Sequence, residues 1–283
     1  MHPKIFNDII GPVMRGPSSS HTAASWRIAR VCLDILNEPL KSALVEFDKD
    51  GAWAPNYLEQ GTVMGMNGGL LGLEISDYRM KDTGHILEER GVSINYKISS
   101  FPTHHVNTVR ISLSGMNGNK IRVYAASLGG GSFNIYQVNE FKVDIQGDYY
   151  ELLVFTKSNR IVPDDIKSIL PGDAMMNISA GKSSKLISMR TSKEIPQKTQ
   201  KQISNAPGID QLIFISPVLP IISGNETKVP FSTISSLLDY AEKGNYSLGD
   251  IGIIYEKCLS GLPEAGLITQ MREIISLIDK SIQ

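Results

Sequence analysis

The chain has 283 residues, of which 41% are hydrophobic and 20% charged, the composition of an ordinary globular protein long enough for two domains. The formal net charge is −1 with both signs intermixed, which excludes an electrostatic case for nucleic acid or an anionic membrane surface. No apolar run approaches the roughly 20 residues of a transmembrane helix, and the N-terminus, MHPKIFNDII, is too polar for a secretory signal.

Helical and extended patterns alternate in the first predicted region, residues 1–147. Helices are expected over Ala23–Leu36, after Gly61-Thr62 and over Asp82–Arg90. The expected strands are Ser42–Phe47, Ile94–Ile98, Thr108–Leu113, Lys120–Ala126 and Phe133–Val138. Because a short loop rich in Gly and Asn separates the third strand from the fourth, these two favour a hairpin.

The second predicted region, residues 148–223, has the order βαββαβ, which is that of a ferredoxin-like module. Its expected elements, in chain order, are Tyr150–Thr156, Pro163–Leu170, Ala174–Ser179, Lys185–Thr191, Pro196–Asn205 and Gln211–Ile215. Modules of this kind sense small effectors or simply dimerise, and both roles stay open.

A linker, Pro217–Pro230, leads into the third predicted region, residues 224–283. Amphipathic helices are expected over Phe231–Lys243, Leu248–Cys258 and Gly266–Ile282. Three short helices cannot bury their apolar faces alone, so we expect them to pack on other parts of the chain or on a second chain.

A run of hydroxyls and one imidazole precedes the first helix: Gly16-Pro-Ser-Ser-Ser-His-Thr22. Ser and Thr are favoured N-cap residues, and a helix start attracts anions through its unpaired N–H groups. His21 adds a group that can donate, accept or carry a proton near neutral pH. A plain cap is the alternative, but Ser18, Ser19 and Ser20 are more hydroxyls than a cap uses. The run therefore predicts a binding site for a small acid, with Thr22 at its end.

Other segments of the same region carry candidate site residues. His104-His105 with Asn107 and Thr108 opens a strand, where these side chains either line a pocket or are solvated. Gly129-Gly130-Gly131 lets backbone N–H groups approach a ligand, or forms a plain turn. Gln60, Gly61 and Thr62 precede a Gly-rich helix start. Arg27 and Arg30 either pair a carboxylate or, as we expect, lie on a solvated helix face, and Trp26 and Trp53 are expected in packing roles.

Two cysteines, Cys32 and Cys258, lie far apart and form no C-x-x-C pair, which argues against a disulfide scaffold and fits a reducing cytoplasm. An iron–sulfur cluster generally takes three or four thiolates, so this chain alone cannot hold one. The five histidines show no zinc-ligand spacing. Any metal chemistry must therefore be supplied from elsewhere.

Taken together, residues 1–147 resemble the beta subunit, or beta domain, of bacterial iron–sulfur-dependent L-serine dehydratases (L-serine ammonia-lyases). The resemblance is carried by segments that recur in the same order: Ile9–Met14, Gly16–Thr22, Arg27-Ile28, Gly61-Thr62, His105–Thr108 and Ser127–Gly131. The second region resembles the ACT-type module that follows this domain. The third resembles the helical start of the alpha subunit, cut off before its cysteine-rich part.

The resemblance implies an α+β fold akin to the substrate-sensing domain of some phosphoglycerate dehydrogenases. It implies conversion of L-serine to pyruvate and ammonia, with a [4Fe–4S] cluster held by a partner alpha subunit and not by this chain. It gives His21 and His105 catalytic roles. The remaining candidates would bind substrate: Ser18, Ser19, Ser20, Thr22, Gln60, Gly61, Thr62, Asn107, Thr108, Gly129 and Gly130. A cytoplasmic heteromer is expected, and homodimerisation stays open.

Gln60 departs from the family pattern, since members usually have Gly-His-Gly-Thr where this chain has Glu59-Gln60-Gly61-Thr62. An amide hydrogen-bonds but does not exchange a proton at neutral pH. Either His21, His105 or Glu59 takes that role, or the machinery acts on another small hydroxy or thio acid, or the chain is an inactive amino-acid sensor.

Overall fold

The computed structural model describes residues 4–10, 13–157, 163–218 and 228–282. Contacts divide the chain into two compact units, one of Met14–Leu219 and one that joins Met1–Val13 to Pro220–Gln283. Gly11 and Pro12 of the first family segment, and residues 219–227 of the expected linker, lie outside the described residues.

The larger unit contains two sheets. The first has six strands in the order β2-β1-β3-β4-β5-β6, in which β1 and β2 are parallel and the other neighbours are antiparallel. Its strands are β1 (Leu40–Asp48), β2 (Ser93–Ser99), β3 (Thr108–Gly115), β4 (Lys120–Gly129), β5 (Ser132–Val138) and β6 (Phe141–Ile145). The expected hairpin is the β3–β4 pair, in which Ile111 lies opposite Val123.

Three helices accompany this sheet: α1 (Ala24–Leu36), α2 (Thr62–Leu70) and α3 (Thr83–Glu89). Helix α1 buries most of its length, and α2 packs closely against it because α2 is rich in glycine. A Cβ placed on Gly69 would lie 2.5 Å from the Trp26 carbonyl oxygen, and one on Gly68 would lie 2.2 Å from Met80 Sδ. The glycine content of α2 is thus a packing requirement, which brings the starts of both helices together.

The second sheet is antiparallel, with the order β10-β7-β9-β8 and two helices, as the βαββαβ pattern predicts. Its elements are β7 (Tyr150–Thr156), α4 (Pro163–Ser168), β8 (Met175–Ala180), β9 (Lys185–Thr191), α5 (Gln197–Ser204) and β10 (Gln211–Ile215). One face, with Leu153, Leu186 and Ile213, joins the apolar core of the first sheet. The opposite face packs Ile187 and Ile203 into a separate core.

The smaller unit contains α6 (Ile234–Gly244), α7 (Leu248–Ser260) and α8 (Glu264–Ile282). Capping boxes begin the first two: Thr233 with Ser236, and Ser247 with Asp250. Ile234 and Leu248 remain largely exposed. Among the helices of the described residues, none has the length and apolar character that crossing a bilayer requires.

The α+β class expected from the sequence is confirmed, and each expected helix and strand is present with small shifts at its ends. Strand β6 was not predicted, although it is as long as the predicted Gln211–Ile215. The expectation that Arg27 lies on a solvated face is wrong. Arg27 is 2% exposed and donates to the Gly131 and Val218 carbonyls and to Asp148. Trp26 and Trp53 are buried, as expected of packing residues.

Candidate functional site

The hydroxyl run forms a π-helical turn over Ser19–Ala23 that leads directly into α1. We call residues Ser18–Thr22 the serine turn. Ser18 is the N-cap residue, yet its side chain makes no capping hydrogen bond. The hydroxyl of Ser18 instead lies 3.2 Å from that of Ser20. The serine side chains therefore serve something other than ordinary capping.

His21 lies at the centre of the serine turn, and both of its ring nitrogens have partners. Nδ1 is 3.2 Å from both the Ser18 and the Ser20 hydroxyl oxygens. Nε2 is 3.2 Å from Asn56 Oδ1, which accepts a hydrogen bond when Nε2 carries the proton. Burial lowers the pKa of His21, and the hydrogen bond to Asn56 opposes that shift. Burial thus disfavours the charged ring, and Nδ1 can accept a hydrogen bond from a serine hydroxyl when Nε2 carries the proton.

The start of α2 packs against the serine turn. The Thr22 hydroxyl donates to the Gln60 carbonyl over 3.1 Å, and the Ser25 hydroxyl donates to the Thr62 carbonyl over 3.0 Å. Gly61 has φ +76°, and a Cβ there would lie 2.5 Å from Thr22 Oγ1. Gln60 thus contacts the turn through its backbone, where a glutamine and a histidine are equivalent.

A third segment reaches the serine turn through Ser127. The Ser127 hydroxyl donates to the Ser20 carbonyl over 2.8 Å, and the Ser127 N–H donates to the Asn107 carbonyl over 3.2 Å. His105 Nδ1 accepts from the Asn107 N–H at 3.1 Å, and its carbonyl accepts from the Thr108 hydroxyl at 2.7 Å. The structure therefore brings the His105–Thr108 segment beside the turn, but with His105 bonded to its own loop.

Gly129 and Gly130 belong to the connection between β4 and β5, where Gly129, Gly130 and Gly131 have φ values of +103°, +61° and +95°. Among the described residues, no hydrogen bond joins Gly129 or Gly130 to the serine turn. The Gly131 carbonyl accepts from Arg27 Nη1. These glycines are needed for the turn itself, because other residues rarely adopt such φ values.

Two polar atoms next to this network are buried without a hydrogen-bond partner among the described residues: Thr62 Oγ1 and Trp53 Nε1. The Trp53 ring centroid lies 5.9 Å from that of His21. A buried polar group without a partner costs about 1–3 kcal/mol, so native proteins retain few of them. Of the two, Trp53 lies beside His21, where a polar ligand would give its Nε1–H an acceptor.

Sequence reasoning missed three residues of this network. Asn56 holds the His21 ring, Trp53 packs beside it, and Ser127 joins β4 to the serine turn. Ser127 was part of a recognised segment, but nothing marked its hydroxyl as the connecting group. Asn56 follows a Pro in a loop without periodicity, so no sequence signal distinguishes it.

The described residues contain no group of three or more His, Cys, Asp or Glu side chains that fits a metal ion. Cys32 is fully buried in α1, where burial raises the pKa of its thiol, and Cys258 is half-buried on α7. These residues do not fit a [4Fe–4S] cluster, which takes its ligands from several thiolates.

Two sheets with helices, and an imidazole held among serine hydroxyls at a helix start, define an α+β protein with a candidate site for a small polar ligand. No family model matches the sequence. The L-serine dehydratase beta chain of Peptoniphilus asaccharolyticus is 32% identical over 166 residues, 58% of this chain and 74% of that one. The probable L-serine dehydratase beta chain of Bacillus subtilis (strain 168) is 36% identical over 147 residues, 52% of this chain and 66% of that one. The chain belongs to the family of L-serine dehydratase beta chains, and the resemblance inferred from its motifs is confirmed.

Proposed function

We propose that the chain is the beta-type subunit of an iron–sulfur-dependent L-serine ammonia-lyase, which converts L-serine to pyruvate and ammonia. The proposal is supported by the names of its relatives together with one observation, the bonding of His21 between two serine hydroxyls and Asn56. We assign the cluster to a partner alpha subunit and the complex to the cytoplasm. When bound there, the cluster supplies a Lewis acid for the substrate hydroxyl.

The serine turn would bind the substrate carboxylate. The first N–H groups of a helix have no intrahelical acceptor and carry partial positive charge. The Ser19 side chain is half-buried, and its hydroxyl has no hydrogen bond among the described residues. Ser19 and the N–H groups at the start of the turn therefore offer donors to an anion, and Ser18 and Ser20 position His21 beside it.

His21 would move the proton. A neutral imidazole whose pKa is lowered by burial can accept a proton, and Asn56 fixes which nitrogen is available. His105 would act from the neighbouring loop, held by Asn107 and Thr108. In this arrangement Gln60 takes no part in proton transfer, because its contact with the turn is through the backbone carbonyl. Gly61 and Thr62 position that carbonyl, and Gly129 and Gly130 shape the nearby turn.

The test is anaerobic assay of the chain mixed with its alpha partner, with L-serine as substrate. We expect Ser19→Ala to raise KM and His21→Asn to lower kcat by about 100-fold or more, as for loss of a general base. His85→Asn is the matched control, because His85 is exposed and pairs only with Glu89 on α3. Wild-type kinetics in both site variants would contradict the site, and a complex with an intact cluster that forms no pyruvate would contradict the activity.

A panel of hydroxy and thio amino acids separates L-serine from another small substrate.

Amino-acid sensing without turnover is a second candidate. Both ring nitrogens of His21 have hydrogen-bond partners, and this arrangement suits a binding role as well as proton transfer. Calorimetry of L-serine with this chain alone distinguishes the sensor from the lyase. Binding by the isolated chain, with no turnover in the complex, would favour the sensor.

We also propose the division into a beta-type domain (1–147), an ACT-like module (148–223) and a helical segment like the start of an alpha subunit (224–283). The strand order of the second sheet and the helices α6–α8 support it. Measurement of the mass of the purified chain in solution would test homodimerisation through the ACT-like module.

A further inference from the structure

A cavity of about 320 Å³ lies between β6 and the second sheet. Its lining residues are more than 120 positions from the serine turn in the sequence. Asp144 of β6 contributes one wall, and Glu151 and Arg190 contribute charged groups from β7 and β9. Met175 of β8 forms its apolar part, because the side chain of the next residue, Met176, packs into the separate core on the opposite face of the sheet. Nothing in the proposed lyase function uses this cavity.

Glu151 is the unmatched group of the cavity. It is 4% exposed and lines the cavity, and its side chain has no hydrogen bond among the described residues. Arg190 lies opposite it in the β7–β9 register, but its guanidinium forms an ion pair with Asp144 at 3.2 Å and stacks on the Tyr149 ring at 5.5 Å. The Glu151 carboxyl therefore interacts with the charge of Arg190 but forms no hydrogen bond with it.

A buried carboxylate is costly unless a cation or several donors compensate it. The nearby oxygens belong to Asn177 and Ser188, which can accept from N–H groups. Arg190 disfavours a bare divalent ion, and no metal-binding group of three acidic, His or Cys residues occurs in the described part of the chain. A ligand with one positive charge, N–H donors and a short apolar part fits best.

We propose that this cavity binds a small aliphatic primary ammonium compound, with its charged head against the Glu151 carboxylate and its carbon chain against Met175. The proposal does not depend on the lyase function.

Binding is coupled to a proton. Burial raises the pKa of Glu151 to about 8, and Arg190 opposes that shift while Asp144 adds to it. Below pH 8 the ligand must therefore displace the Glu151 proton. The affinity rises up to tenfold per pH unit as the pH approaches 8 and then levels off.

The experiment follows the methyl signals of ¹³C-labelled methionine in the full-length chain, with Met175 and Met176 assigned through Met175→Leu and Met176→Leu. Methylammonium chloride and propylammonium chloride are titrated against NaCl at equal ionic strength. We expect saturable shifts of the Met175 methyl with the ammonium salts alone, and an affinity at least tenfold weaker in Glu151→Gln. Glu88→Gln, a change at an exposed residue of α3, is the matched control.

Equal shifts with NaCl, or undiminished affinity in Glu151→Gln, would overturn the proposal. Saturation by L-alanine but not by methylammonium would assign the cavity to a zwitterion held through Arg190, and would also overturn it. Thermal unfolding of Glu151→Gln verifies that the variant is folded. If it is not, Glu151→Asp, which shortens the side chain and keeps the charge, is expected to weaken binding in the same assay.

Discussion

The polar groups buried around the two sheets of the Met14–Leu219 unit are held in different ways. Around the first sheet, the serine turn, the start of α2 and the end of β4 share hydrogen bonds, although Thr62 Oγ1 and Trp53 Nε1 have no partner among the described residues. In the second sheet, the buried Glu151 side chain has no hydrogen bond among the described residues and lines a cavity. The first arrangement fixes the positions of three segments, whereas the second leaves a carboxyl group whose charge a ligand or a proton can compensate.

The largest expected effect is loss of the ion pair between α1 and the segment that joins β6 to β7. Arg27→Met removes the partner of Asp148 and leaves two carbonyls without donors. We expect the free energy of unfolding to fall by about 3–5 kcal/mol, as when one partner of a buried pair is removed. Chemical denaturation measures it, with Arg122→Met on the exposed side of β4 as control. Equal losses of unfolding free energy in both variants would show that the Arg27–Asp148 ion pair stabilises the fold no more than an exposed arginine does.

The second prediction concerns Glu151 and pH. Its pKa is about 8 in the folded chain against an ordinary value of 4.5, so the folded state binds more protons between these values. The contribution of Glu151 to the free energy of unfolding is therefore highest below about pH 4.5, and it falls as the pH rises towards 8. The fall is about 1.4 kcal/mol per pH unit, or about 2–3 kcal/mol over two units.

Glu151→Gln is expected to remove that slope, which denaturation at several pH values measures. Glu88→Gln again serves as control. A slope that persists in Glu151→Gln would assign the pH dependence to other groups.

A smaller effect is expected from a larger residue at the contact between α2 and the serine turn. A Cβ on Gly65 would lie 2.2 Å from the Thr22 carbonyl oxygen and 2.3 Å from Ser25 Oγ, so α2 must move away from the serine turn. We expect Gly65→Ala to cost about 1–3 kcal/mol and to weaken ligand binding at His21. Gly84→Ala in α3 meets nothing within 4 Å and is expected to be neutral or slightly stabilising. Calorimetric unfolding of the two variants compares them, and identical melting temperatures would contradict the close packing.

The smallest effect is that of a single hydrogen bond. Ser127→Ala removes the bond to the Ser20 carbonyl, worth about 1 kcal/mol. Ser114→Ala, at a half-buried serine of β3, is the control. We expect Ser127→Ala to lower substrate affinity while Ser114→Ala leaves it unchanged, as binding calorimetry would show.

Local patterns were enough to predict most of the fold. Ala23–Leu36 has a helical period, Thr108–Leu113 alternates, and a Gly/Asn loop marks the hairpin, so each element follows from contacts near in sequence. Strand β6 was missed although its pattern alternates over as many residues as the predicted Ile94–Ile98. Arg27 was misplaced because its partners, Asp148 and Val218, are more than 120 residues away in the chain.

The candidate site was predictable only in part, for the same reason. The serine run and His21 stand together in the sequence, so their chemistry is visible there. Asn56, Trp53 and Ser127 join His21 and Ser20 only through the packing of α2 and β4. A single sequence contains no trace of such pairings.

The apolar core that the two sheets share limits how the chain can be divided into fragments. A cut after residue 147 would fall beside Asp148, and it would strip Arg27 of two of its acceptors while exposing the apolar face that holds Leu153, Leu186 and Ile213. Neither fragment would keep a closed apolar core, so the smallest piece worth expressing extends from the serine turn through Val218. The second sheet therefore cannot be exchanged as an independent module.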